Sequence, residues 1–219
     1  MRVKAFCCWS GGKESALSLY RAKNEGIEIT YLLNMLSEDG EYSRSHRIRK
    51  DCLRGQSEAI RIPIIQRKTS WENYEREFKS AVLELKENGL EAGVFGDVDL
   101  QEHRDWVERV CKDLGVKPIL PLWKEKREKI IKDFIEANFK AIVIVTQANL
   151  LGKEWLGKKI DEEFIDNLKS LTNVDLCGEK GEYHTFVYDG PIFEKQVKFA
   201  VGKSVFKDEH WFLEVLKDQ

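Results

Sequence analysis

Val3-Lys4-Ala5-Phe6-Cys7-Cys8-Trp9-Ser10-Gly11-Gly12-Lys13-Glu14-Ser15 opens the chain with a strand-length apolar run, a pair of glycines and the first residues of a helix. Residues 3–9 read as a β-strand and 14–24, ended by Gly26, as a helix, so the glycines fall in a β-to-α turn. Glycine lets that backbone fold tightly and come close to a ligand. The helix start presents unpaired N–H groups, and Ser10, Lys13 and Ser15 add donors at what is expected to be a surface-accessible position. Together these make an anion cradle suited to phosphate. A serine N-cap on an ordinary turn is the plainer reading, but a cap accounts for one serine and not for the six-residue set.

The same alternation continues downstream. Strand candidates at 29–36, 62–65, 94–98, 119–122 and 141–146 are separated by helical stretches at 46–60, 71–85, 101–114 and 124–138. Trp71, Tyr74, Phe78, Val82 and Leu85 recur at spacings of three and four, which marks one buried helix face. Strands alternating with helices predict an α/β fold: an open parallel sheet sandwiched by helices. After Thr146 the rhythm changes to a polar segment, a helix near 161–171 and short strands around 186–188 and 197–205. We therefore expect residues 1–146 to form the phosphate-binding part and 147–219 a smaller α+β subdomain packed to form a cleft.

Composition narrows the function classes. With 42% hydrophobic and 34% charged residues, the chain can build a core beneath an ionised surface. The net charge of −2 provides no global field for nucleic acid or an anionic membrane. The five cysteines form no C-x-x-C pair, which fits a reduced compartment. The longest aliphatic run, Ala141 to Val145, is far short of the ~20 residues of a bilayer span, and no signal-like N-terminus is seen, so a cytoplasmic protein is expected. High Lys and Glu with two methionines would suit a heat-adapted organism.

Outside the first loop, Gly96-Asp97 ends a parallel strand, at the sheet edge where ligands of open α/β folds gather. Asp97 can hold Mg²⁺ against phosphates or orient a nucleophile, its plainer use being a cap for the helix at 101. Glu179, Glu182 and His184 crowd one polar loop, more titratable groups than a solvated turn needs. Arg44, His46, Arg47, Arg49 and Lys50 form a basic cluster, read equally as a contact for phosphate or an acidic protein and as a solvated helix face. His103 and His210 read as surface residues, Cys7 and Cys8 as buried small hydrophobes, and Trp9 and Trp123 as packing aromatics.

The hexapeptide Ser10–Ser15 lacks the spacing of the Walker loop and of dinucleotide folds. It resembles the S-G-G-x-D/E-S loop of the PP-loop ATP pyrophosphatases. The resemblance extends over nearly the whole chain to the diphthine–ammonia ligase family of N-type ATP pyrophosphatases, through Gly96-Asp97-Val98, Pro121-Leu122-Trp123 and Gly178-Glu179-Lys180-Gly181-Glu182-Tyr183-His184-Thr185. That last motif reads G-E-G-G-E-F/Y-E-T/S in the family. Lys180 stands here at its second glycine and His184 at its last glutamate, a departure toward a related branch for which a role in cobamide salvage has been suggested.

The resemblance implies a PP-loop (HUP-like) fold and an enzyme that splits ATP into AMP and pyrophosphate, adenylates a carboxylate and lets ammonia displace AMP. Within that reaction we assign Ser10, Gly11, Gly12, Lys13, Glu14 and Ser15 to ATP, Asp97 to Mg²⁺ or orientation, and Glu179, Glu182 and His184 to the acceptor side. The acceptor the resemblance implies is diphthine, a modified histidine of elongation factor 2. A cobamide precursor, a non-catalytic nucleotide sensor and a tRNA-modifying enzyme stand as alternatives, and assembly as a homodimer is left open.

Overall fold

The computed structural model describes residues 2–218. The first half follows the expected alternation: β1 (Lys4–Cys8), α1 (Lys13–Asn24), β2 (Glu28–Leu36), α2 (Lys50–Ile60), β3 (Ile64–Lys68), α3 (Tyr74–Lys86), β4 (Ala92–Val94), α4 (Gln101–Leu114) and β5 (Lys117–Ile119). The five strands are all parallel, in the order β3-β2-β1-β4-β5. Pro118, which cannot donate to a ladder, sits on the edge strand β5.

Because successive side chains of a strand point to opposite faces, β1 serves two cores. Phe6 faces the helices α3 and α4, packing with Phe78, Val82, Val107 and Val110. Ala5 and Cys7 face α1 and α2, with Leu17, Leu19 and Leu53. That second core runs on without interruption into the C-terminal part, through Val143, Ile144, Phe186 and Val187.

The remainder comprises α5 (Arg127–Glu136), β6 (Lys140–Gln147), α6 (Glu162–Lys169), β7 (Tyr183–Asp189), β8 (Phe199–Lys207) and β9 (His210–Lys217). Its strands form an antiparallel sheet in the order β7-β6-β9-β8. Two strand expectations change here. The segment 141–146, expected in the parallel sheet, is a central strand of this second sheet. Its continuous apolar run reports burial on both faces, and a covered antiparallel strand satisfies that as well as a parallel one. Residues 210–217, for which no element was expected beyond a surface His210, form β9.

Local boundaries also differ, the strand expected at 119–122 being β5 at 117–119 with a turn after it. The helix expected from residue 46 starts at Lys50, because Arg47 has a left-handed backbone (φ 50) and the Ile48 N–H bonds the Ser43 hydroxyl at 3.0 Å. The strand expected at 94–98 ends at Val94, which leaves Gly96 and Asp97 in the loop beyond it. Trp71, counted as core, is 77% exposed. It precedes α3 rather than riding on it, and the Arg44 guanidinium lies over its ring at 4.7 Å. Among the described residues no helix is long and apolar enough to cross a membrane.

Candidate active site

The strand order reverses between β1 and β4, and a cleft opens at that point beyond their C-terminal ends. Its floor is the Ser10–Ser15 loop. Gly11 has φ +83, and a Cβ there would come within 2.7 Å of Leu53 Cδ2 and 2.8 Å of Gln56 Oε1, so glycine is required on both counts. The Gly12 N–H donates to Ser10 Oγ at 3.3 Å, Ser10 Oγ to Ser15 Oγ at 3.2 Å, and Ser15 Oγ to the Gly12 carbonyl at 2.9 Å. The two serines thus close the loop on itself.

Gln56, which the sequence reading passed over, holds the loop in place. Its amide donates to the carbonyls of Gly11 at 3.0 Å and Val187 at 2.6 Å, and its Oε1 accepts from the Trp9 indole at 2.9 Å. One fully buried side chain of α2 therefore ties Trp9, just after β1, to the loop and to β7. A glutamine on the apolar face of a predicted helix was the available signal.

Lys13 departs from expectation. It is 3% exposed, and its ammonium donates to the Cys177 carbonyl at 2.5 Å, pairs with Glu14 Oε1 at 2.7 Å and lies 4.4 Å from the centre of the Tyr183 ring. Burial disfavours its charge, but the Glu14 carboxylate outweighs that and holds the ammonium well above the usual lysine range. The side chain expected to point at phosphate thus anchors the C-terminal segment, whose Thr185 Oγ1 also accepts the Lys13 backbone N–H at 3.1 Å.

The titratable residues of the 178–185 segment separate into different roles. Glu182 is 1% exposed, with Oε1 accepting the Asp175 N–H at 2.9 Å and Oε2 the Lys180 N–H at 3.0 Å. Both oxygens are consumed by their own loop, so Glu182 is a strut and does not line the cleft as expected. Glu182→Ala is expected to cost about 3 kcal/mol by orphaning two N–H groups; thermal melting reads that loss, and proteolysis should report loosening of 175–182.

Glu179 and His184 do line the cleft. Burial, and next the Glu14 carboxylate, push the Glu179 carboxyl up to about 8. Burial, then the charges of Lys13 and His210, push the His184 imidazole down to about 4.

Asp97 is where the strand-end reading put it, lining the cleft with Oδ1 3.1 Å from His103 Nδ1. Gly96 permits this: a Cβ there would lie 3.2 Å from the backbone of Glu14 and Ser15, so the loop after β4 can approach the first turn of α1. The basic cluster disperses. Arg44 bonds Thr69, Arg49 pairs with Asp51 and Lys50 with Glu41, while His46 alone turns into the cleft. Cys8 lines the cleft too, but burial pushes its thiol up to about 12, which leaves it a thiol.

Three carboxylates, Glu14, Asp97 and Glu179, face this one space. No three carboxylate, thiol or imidazole groups among the described residues converge closely enough to chelate an ion unaided. That donor set fits Mg²⁺, which takes one or two carboxylates and completes its shell with phosphate oxygens and water.

The chain matches the diphthamide synthase N-terminal domain over residues 1–118 and the diphthamide synthase C-terminal domain over 126–218. It belongs to the diphthamide synthase family. A rat relative named diphthine–ammonia ligase is 28% identical over 98% of this chain and 89% of its own length. The human protein of that name is 28% identical over 90% of this chain and 82% of its own. The fission-yeast protein of that name is 29% identical over 86% of this chain but only 34% of its own length. Among solved structures, one described as a predicted subunit of tRNA methyltransferase from Methanocaldococcus jannaschii is 15% identical, with a TM-score of 0.47 over 89% of this chain and all of that one. For a diphthamide synthase family member, the geometry adds that both matched regions contribute to one cleft, the N-terminal region its loop and the C-terminal region Glu179 and His184.

Proposed function

We propose that the protein is an ATP-dependent ligase that joins ammonia to the carboxylate of diphthine, on elongation factor 2, and releases AMP and pyrophosphate. One observation carries the reading: the glycine loop at the head of α1 and the Glu179 segment, from the two family-matched regions, face each other across a single cleft. A carboxylate resists attack because its charge repels nucleophiles and oxide is a poor leaving group. Adenylation removes both obstacles.

In the first step an acceptor carboxylate oxygen bonds to the α-phosphorus, and the bond from that phosphorus to the oxygen bridging the β-phosphate breaks. In the second, the ammonia lone pair attacks the activated carbonyl carbon, the carbon–oxygen bond to AMP breaks, and the nitrogen gives up a proton. The loop amides, the α1 N-terminus and the Lys13 charge favour the phosphates. Mg²⁺, held through Asp97, would neutralise phosphate charge. Glu179 is the proton acceptor, its ionisation close to working pH.

The relatives carry the name of a ligase acting on diphthine, so the cobamide and sensor alternatives have no support among them. Incubating the protein with ATP, Mg²⁺, ammonium and diphthine-bearing elongation factor 2 should yield AMP and amide in equal amounts. ADP as the main nucleotide product would overturn the reading.

A further inference from the structure

His46, from the loop after β2, and His184, from β7, face each other with ring centroids 4.4 Å apart and planes tilted by 51°. Both line the cleft. They lie against the head of α1: a Cβ on Gly12 would sit 2.8 Å from His46 Nε2 and 3.4 Å from the carbonyl oxygen of Thr185, the residue after His184. His46 Nδ1 is buried with no hydrogen-bond partner among the described residues. Packing alone has no use for that arrangement, since a buried ring nitrogen without a partner costs stability.

The charged and titratable groups whose fields reach the pair are Lys13 on α1, itself paired with Glu14, and His210 on β9. Burial and these fields hold both rings neutral, His46 well below the usual histidine range. A polyphosphate seated on the loop would bring several negative charges beside the rings and reverse the sign of the field. Two imidazoles this close hold one proton between them far more readily than two.

We propose that His46 and His184 are phosphate-contacting residues that take up one proton between them when the nucleotide docks on the Ser10–Ser15 loop, making ATP binding proton-linked. The proposal rests on the ATP-ligase reading above. It gives the site a cationic wall while pyrophosphate charge develops, and the proton returns to solvent when the products leave. His184, expected on the acceptor side, thereby belongs to the phosphates.

Because the complex holds a proton that the free protein lacks, ATP affinity should rise as pH falls from about 8 toward 6, by at most about tenfold per pH unit for one proton. Calorimetric titration with ATP in buffers of different ionisation heat counts the protons taken up. The ATP terminal phosphate titrates in the same range for every variant, so the reading is the difference between the wild type and His46→Gln or His184→Gln. The wild type is expected to take up more protons per ATP and to show the steeper pH slope.

A second measurement needs no variant: adding inorganic pyrophosphate to the wild type should move both imidazole Cε1–H resonances toward their protonated positions. Equal proton counts in wild type and variants, or imidazole resonances unmoved by bound pyrophosphate, would overturn the proposal while leaving the ligase reading intact. Failure of the wild type to bind ATP at any pH would remove both.

Discussion

Lys13→Ala is expected to destabilise the protein by about 3–5 kcal/mol, the cost of breaking a buried ion pair from one side. The sequence places Lys13 at an accessible helix start, where its loss would touch ATP and little else. In the structure the ammonium is 3% exposed between Glu14 Oε1, the Cys177 carbonyl and the Tyr183 ring. Alanine leaves the Glu14 carboxylate without its counter-charge and beside Glu179, and it unties the C-terminal segment from α1. For a chain of this size the melting temperature should fall by about 2–4 °C per kcal/mol. Lys13→Met with Glu14→Gln, which removes both charges and keeps the volume, should recover most of the loss. Single and double variants that melt alike would mean that the pair is not what holds the two parts together.

Glu179→Gln is expected to lower amidation by 10²- to 10⁴-fold, the usual contribution of a positioned general base. At a fixed concentration of free ammonia, the wild-type rate should climb with pH and level off above about 8, following ionisation of the Glu179 carboxyl. The glutamine variant should be flat. Stability moves the other way. Between its ordinary value of 4.5 and about 8, native Glu179 keeps a proton that the unfolded chain has lost, so the wild type loses stability as pH rises through that window. Glutamine cannot ionise, so the variant should melt higher than the wild type above pH 8 and alike near pH 4. Turnover of Glu179→Gln within about threefold of the wild type would remove Glu179 from the proton transfer.

Much of this protein is legible in short stretches of chain. The apolar run, two glycines and helix start at 3–24 determine a β-to-α turn with a phosphate-ready head, because strand sterics, glycine's freedom and unpaired helix N–H groups are all local properties. The alternation of strands and helices through residue 119 determines the parallel sheet, and Gly96-Asp97 falls at its edge for the same reason. Tertiary packing decided the rest. A continuous apolar run at 141–146 states how deeply a strand is buried, not which sheet buries it. Whether a lysine after two glycines reaches for solvent or turns inward depended on Cys177 and Tyr183, more than 160 residues away. Glu182 and Glu179 look alike in sequence, yet backbone N–H groups consume one, while burial and then the Glu14 carboxylate raise the other. The pairing of His46 with His184 brings together a loop and a strand far apart in the chain, and no local spacing could announce it: the charge state of a buried ring is set by what the fold places beside it.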